Sequence, residues 1–217
     1  MSKTSQSIRE LRVERALRFL AGVGTKKKVL DIGCQSGGFC GKLLKLCHEP
    51  HGMEIVPEMV ENARRNYPMI PFVLGDCEKE LPFPDGFFDV VWAGDVIEHV
   101  CQTDVFVNEV NRVLRVGGYF ILSTPLHNRV KNLLIALFLF EKHFDPEFPH
   151  YRFYSRKSLR AVLEKRGFEV VEVAHIGRIH LVANTIFVAA RKLASKAVMS
   201  HDKLAVLNRF HGIGVAS

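Results

Sequence analysis

Three carboxylates, Asp31, Glu54 and Asp76, stand in or just after three short apolar runs, Val29–Ile32, Gly52–Ile55 and Pro71–Leu74. A carboxylate at a strand end of an α/β sheet faces the crevice where such sheets bind ligands. Glu54 follows Asp31 by 23 positions, close to the spacing of about 20 at which an acid meets a ribose hydroxyl. After the first run the chain reads Gly33-Cys34-Gln35-Ser36-Gly37-Gly38. Glycines there let backbone approach a ligand and turn tightly into a helix. A glycine-rich turn alone is also a common tight turn with no ligand. Asp31 at the start of this loop decides against a dinucleotide, because a carboxylate repels a pyrophosphate and suits a cationic ligand.

Histidines near neutral pKa supply the candidates for proton removal: His99, His127 and His150. His99 lies just past the fourth apolar run, His127 follows Ser123-Thr124-Pro125, and His150 and Tyr154 precede a helix start at Ser155. Each has an ordinary alternative, a local hydrogen bond or an exposed loop. Asp95, Glu98 and His99 have the residue types of a metal site, but local capping by the two acids explains the same pattern, and no metal is expected.

The elements that must position these groups follow from periodicity. Residues 7–22 predict an amphipathic helix. Short strands are expected at 29–32, 52–55, 71–74, 89–93 and 119–123, with helices over 39–46 and from Pro57 to Tyr67. Thr103 is read as the cap of a helix over 104–115, ended by Gly117-Gly118. Residues 127–144 read as an apolar helix. Ser155 caps a helix ending at Gly167, and strands at 168–173 and 186–190 follow. Residues 192–210 read as a terminal amphipathic helix. Strands alternating with helices imply a mostly parallel sheet. One domain over 1–217 is expected: a helix in 1–25, a ligand-binding core in 26–125, and a substrate-side region in 126–217.

The chain has 217 residues, is 47% hydrophobic, and has five cysteines with no Cys-x-x-Cys pair. That speaks against a disulfide framework and for a reducing compartment. The first ten residues are polar, with no apolar leader core, so a cytoplasmic chain is expected. The longest apolar run, Leu133 to Phe140, is far short of the roughly 20 residues that span a bilayer. A net charge of +7 with scattered Lys and Arg reads as solubility rather than a nucleic-acid footprint. Within the segment Asn128–Phe144, Leu133–Phe140 is apolar on every face, with Arg129 and Lys131 before it and Lys142 and His143 after. That pattern fits a lipid-like ligand, a peripheral membrane contact, or a lid or homodimer helix.

Four stretches carry a family resemblance: VLDIGCQSGGF, GMEIVPEMVENAR, GDCEKELPFPDGFFDVVWAGDVIEHV and EVNRVLRVGGYFILSTP. From Val29 to about Val173 the chain resembles the type 11 group of class I S-adenosylmethionine-dependent methyltransferases, with some similarity to ubiquinone-pathway O-methyltransferases. The resemblance implies a Rossmann-like α/β fold, with helices on both faces of a mostly parallel seven-stranded sheet whose last strand is antiparallel. It implies S-adenosylmethionine as cofactor, leaving S-adenosylhomocysteine as product. By the same match Asp31 would orient the amino-acid arm, lined by Gly33, Cys34 and Gln35 with Gly37 in the same loop. Glu54 would take both ribose hydroxyls and Ile55 would pack on adenine. Asp76 and Cys77 would hold the adenine edge, and Ala93 and Gly94 would border the methionine arm. Gln35 departs from the glycine usual at its position. The expected activity is methylation of a small-molecule acceptor, at oxygen, on an apolar or lipid-linked metabolite. An RNA methyltransferase and a non-catalytic cofactor binder stand as alternatives.

Overall fold

The computed structural model describes residues 7–127, 129–138, 151–176 and 185–194. Helix α1 (Ile8–Val23) starts at a capping box. The Glu10 N–H donates to Ser7 Oγ at 3.2 Å and the Ser7 N–H to Glu10 Oε2 at 2.8 Å, which satisfies two amides a helix start leaves unpaired. Then follow β1 (Lys28–Ile32), α2 (Gly38–Lys45), β2 (Glu49–Glu54), α3 (Pro57–Asn66), β3 (Phe72–Leu74) and β4 (Phe88–Gly94). A 3-10 turn (Ile97–His99) leads to α4 (Thr103–Val113) and β5 (Leu114–Pro125). After α5 (Arg129–Phe138) come α6 (Arg156–Glu164), β6 (Phe168–Ile176) and β7 (Thr185–Lys192).

The seven strands form one sheet in the order β3-β2-β1-β4-β5-β7-β6. β1 to β5 pair in parallel, and β7 runs antiparallel to both β5 and β6. This is the expected sheet. Its strand order reverses between β1 and β4, and a crevice opens there beyond the carboxyl ends of the strands. Alternation along the strands supplies both faces. Val29, Val90, Ile121 and Phe187 pack with Ala16 and Leu20 of α1 and Leu43 of α2. Leu30, Val91, Phe120 and Val188 pack with Phe106 and Val110 of α4 and Leu159 and Leu163 of α6. Helix α1 is tied to the sheet by an Arg15–Glu172 ion pair, and Phe19 packs edge-on to Tyr119 with ring centroids 5.3 Å apart.

Several expected boundaries are corrected. Thr103 is the first residue of α4 rather than its cap, and its hydroxyl bonds the Tyr154 hydroxyl at 3.0 Å. Gly117 and Gly118 do not end α4. The helix stops at Val113 because Leu114 already pairs with Phe88 in the sheet. Gly118 lies within β5, where a Cβ would meet the Asp89 carbonyl oxygen at 2.8 Å. Lys192 belongs to β7, not to a terminal helix, and its ammonium donates to the Asn111 and Leu114 carbonyls at 2.6 and 2.7 Å. Residues 193 and 194 are not helical, with the Leu193 N–H donating to the Gly167 carbonyl at 2.9 Å, and 195–210 lie outside the described residues. Only Arg129–Phe138 of the apolar segment is described as helix. Its apolar residues are not uniformly covered: Ile135 is buried, while Leu133, Leu137 and Phe138 are exposed. Among the described residues no helix is long and apolar enough to cross a membrane.

Candidate active site

The loop after β1 is bent by three residues in the left-handed region: Gly33 (φ 75°), Gln35 (φ 49°) and Gly37 (φ 80°). The N–H groups of Gly33 and Cys34 both donate to the Met53 carbonyl, at 2.8 and 3.1 Å, and so fasten the loop to the end of β2. Only glycine fits at Gly33, since a Cβ there would meet Val96 Cγ2 at 2.9 Å. Gln35 holds a conformation that costs a side-chain-bearing residue free energy. Its N–H donates to Glu54 Oε2 at 3.0 Å, and its side-chain oxygen accepts from Arg9 Nη2 at 2.7 Å. The side chain that replaces the family's usual glycine is therefore turned toward α1.

Asp31 is 3% exposed and accepts a hydrogen bond from the Cys40 thiol at 3.5 Å. Burial pushes its carboxyl up to about 8, opposed by the Cys40 contact and reinforced by the nearby charge of Glu54. Glu54 is also buried. Its Oε1 accepts from the N–H groups of Ile55 (2.8 Å) and Val56 (3.1 Å). With the Gln35 N–H that makes three donors on a group with about four lone-pair sites, so capacity remains for a further hydroxyl. Ile55, Met59 and Leu74 present exposed apolar surface beyond it. Asp76 turns one oxygen onto the Glu78 N–H at 2.9 Å, and burial pushes the Cys77 thiol up to about 12. Ala93 is wholly buried. Beside it, Gly94 admits the Trp92 ring, which would lie 2.6 Å from a Cβ.

Past Gly94 the wall changes character. Asp95 is itself left-handed (φ 56°), and its Oδ1 accepts from Ser123 Oγ at 3.1 Å. Its other oxygen forms an ion pair with Arg12 of α1. His99 lines the same cleft. Glu98 is not on the cleft wall, although its charge and that of Arg12 act on each other. It is 1% exposed, accepts from Thr124 Oγ1 at 3.0 Å, and is pushed up to about 7 by burial. Its carbonyl takes the N–H groups of Tyr151 and Arg152, so residues 151–154 are laced to this turn. Asp95, Glu98 and His99 do not converge, and among the described residues no three His, Cys, Asp or Glu groups could hold a metal ion.

The expected site residues thus fall into three groups. Asp31, Gly33, Cys34, Gln35, Gly94 and His99 line one cleft of about 870 Å³. Gly37, Glu54, Ile55, Asp76, Cys77 and Ala93 stand behind it or at its β2–β3 end. His127 is not on its wall: it is buried, packs its ring on Phe153 at 4.6 Å between centroids, and pairs Nδ1 with Asn132 Oδ1 at 3.1 Å. Tyr154 is held by Thr103 and does not reach the cleft. His150 lies outside the described residues. Sequence reasoning missed Arg9, Arg12, Phe39 and Trp92, all of which line the cleft. The one available signal was Arg9 and Arg12 three apart on a capped helix, which places them on one helix face.

A crevice at a strand-order reversal, cornered by glycines, with buried Asp31 on its wall and buried Glu54 behind the loop, defines a doubly wound α/β domain that suits a cationic nucleoside ligand. A sulfonium cofactor fits its donor set, because the acids offer the opposite charge to the ammonium and the sulfonium. Residues 30–122 match the methyltransferase domain of the type 11 family. A Mycolicibacterium smegmatis protein described as a probable S-adenosylmethionine-dependent methyltransferase is 33% identical over 150 residues, 66% of this chain and 52% of that protein. A fatty-acid O-methyltransferase of the same organism is 36% identical over 101 residues, 45% of this chain and 36% of the enzyme. The chain spans about half the length, or less, of these curated relatives. Among solved structures, a Haloferax volcanii methyltransferase complexed with the Trm112 methyltransferase activator superposes with a TM-score of 0.70. It is 20% identical, and the match covers 86% of this chain and 92% of that one. The chain carries a class I methyltransferase domain of the type 11 family, and S-adenosylmethionine is the cofactor that family and fold imply.

Proposed function

We propose that this protein transfers the methyl group of S-adenosylmethionine to oxygen on a small apolar or lipid-linked acceptor. The observation that carries the reading is the pair of buried acids, Asp31 on the wall of a cleft that continues past Gly94 to His99, and Glu54 at the end of β2, bonded to the loop that follows β1. When bound, the cofactor supplies a methyl on a positively charged sulfur, ready for direct displacement, so alignment contributes much of the rate. Asp31 pairs with the ammonium of the amino-acid arm, between Gly33, Cys34, Gln35 and Gly37. Glu54 takes ribose hydroxyl, Ile55 covers the base, and Asp76 and Cys77 hold its edge. Ala93 and Gly94 border the methionine arm. His99 faces the acceptor, as the one candidate histidine on the cleft wall among the described residues.

Exposed Tyr151 and Phe153, laced to the turn that carries His99, support an apolar acceptor. So do exposed Leu133, Leu137 and Phe138 of α5, which would also serve a peripheral membrane contact. The fatty-acid relative points the same way. Calorimetric titration with S-adenosylhomocysteine tests the cofactor half. The wild type should bind saturably, and Asp31→Ala and Glu54→Ala should each lose about a hundredfold or more in affinity, the scale of a buried charged contact. A wild type that binds nothing overturns the reading.

A further inference from the structure

Helix α1 brings two guanidinium groups to the acceptor end of the cleft. Arg9 and Arg12 share one face of the helix and line the cleft with Asp95 and His99. Arg9 spends its bond on a neutral partner, the Gln35 side chain. Arg12 is the deeper of the two, with its side chain 13% exposed. It meets one oxygen of Asp95 through Nη1, and the other Asp95 oxygen is held by Ser123. Asp95 therefore cannot close on the guanidinium with both oxygens. The buried Glu98 carboxyl acts on the charge of Arg12, but among the described residues no hydrogen bond takes up the remaining donors of its guanidinium, a planar fork with five N–H groups. Glu10, in the first turn of the helix and on the same cleft wall, is folded back onto the Ser7 N–H. Arg9 and Arg12 thus share the cleft wall with Glu10, Asp95 and His99, and Arg12 keeps hydrogen-bond donors that no carboxylate among the described residues takes.

We propose that the acceptor is a carboxylic acid, anchored through its carboxylate by Arg12 and methylated on a carboxylate oxygen to give a methyl ester. The inference rests on the methyltransferase reading and names the acceptor class of that same cleft. A planar fork with a free edge suits a carboxylate, which it can grip with two parallel hydrogen bonds. The carboxylate oxygen forms the new O–CH3 bond as the S–CH3 bond breaks, and the sulfur keeps the bonding pair. The positive sulfur and the negative carboxylate both end neutral, and no proton has to be removed. The cleft then needs no general base, and His99 acts as a hydrogen-bond donor that orients the carboxylate. Charge also sets polarity along the cleft. Glu54 disfavours an acid at the cofactor end, and Arg12 offers it donors at the other.

Octanoate and octan-1-ol serve as a matched pair of probes, titrated calorimetrically into the protein with and without saturating S-adenosylhomocysteine. The wild type should bind octanoate at least about tenfold more tightly than the alcohol, as expected for one charge-assisted pair. In Arg12→Gln that preference should shrink to about threefold or less, with Arg12→Lys intermediate. The alcohol titration of each variant reports whether its cleft is still formed. Equal binding of the two probes by the wild type, absent octanoate binding, or an undiminished preference in Arg12→Gln would each overturn the inference. Failure of S-adenosylhomocysteine to bind is read separately and counts against the cofactor reading.

Discussion

The two ends of the cleft are built by different means. The cofactor end is local: one loop with three left-handed residues, bonded to the next strand through Met53 and Glu54. Its acids are buried and held by backbone amides or a thiol. The acceptor end is assembled from distant segments, with Arg12 from α1, Asp95 and His99 after β4, Ser123 from β5, and residues 151–154 laced across the turn. Its groups are held by side-chain pairs that a ligand can rearrange. A cofactor shared by many enzymes needs a rigid socket, whereas acceptor choice changes when a few side chains do.

The largest expected effect lies in the rigid end, at Asp31. Its folded carboxyl sits near 8, above the usual value of about 3.9, so the folded protein holds this proton more tightly than the unfolded chain. The stability that burial of the neutral acid contributes is fully present below the unfolded value and is lost as pH rises through about 8. Cofactor binding works against this, because an ammonium wants the ionised acid. S-adenosylhomocysteine affinity should therefore rise up to about tenfold per pH unit between roughly pH 6 and 8 and then level off. Asp31→Asn should bind about a hundredfold more weakly at pH 8, with no such slope, yet unfold at a higher temperature than the wild type when no ligand is present. Calorimetry and thermal melts from pH 6 to 9 measure both. A flat wild-type affinity across that range would show that Asp31 does not meet the ammonium, and the contrast between the two ends would weaken.

An intermediate effect is expected from Gly33→Ala. At φ 75° a Cβ is strained and meets Val96 Cγ2 at 2.9 Å, at a cost of about 1–3 kcal/mol. For a chain of this length that lowers the melting temperature by about 3–9 °C. Val96 leads into the turn that carries His99, so the substitution strains the junction of the two ends. Cofactor affinity should fall by about tenfold, the equivalent of about 1.4 kcal/mol. An unchanged melting temperature would mean that the loop bends freely and that the socket is not rigid.

The same contrast explains what was legible in the sequence. The β1 loop and Glu54 announced themselves because short-range pattern fixes them: an apolar run, glycines, an acid, then a helix. The start of α1 was equally plain, since Ser7 and Glu10 carry their own cap. The end of α4 was not, because sheet pairing of Leu114 overrides the glycine signal at 117 and 118. Lys192 read as a helix residue because its partners, two carbonyls near the base of β5, are far away in the chain. Arg12 was invisible for the same reason: no local pattern says that a helix near one end of the chain will lay a guanidinium against a turn after the fourth strand. His127 and Tyr154 looked available because sequence shows residue types and not the partners, Asn132, Phe153 and Thr103, that engage them.

The smallest effect is expected where the two ends touch, at Gln35→Gly. Glycine relieves the left-handed backbone at φ 49°, a gain of about 1 kcal/mol. It also adds freedom to the unfolded chain and removes the bond to Arg9, losses of about 0.5–1 kcal/mol each. These contributions nearly cancel, so the melting temperature should move by no more than about 3 °C. Because the Gln35 side chain points at α1 and only its backbone faces Glu54, cofactor affinity should change by less than about threefold. The visible change should be in α1 itself. Its first turn loses its tie to the β1 loop, and amide exchange over residues 9–12 should quicken while that over 16–20, anchored by Ala16 and Leu20, stays protected. If affinity instead fell by more than about tenfold, the amide of Gln35 would be a cofactor contact, and the helix that carries the two arginines would be part of the cofactor socket rather than of the acceptor end.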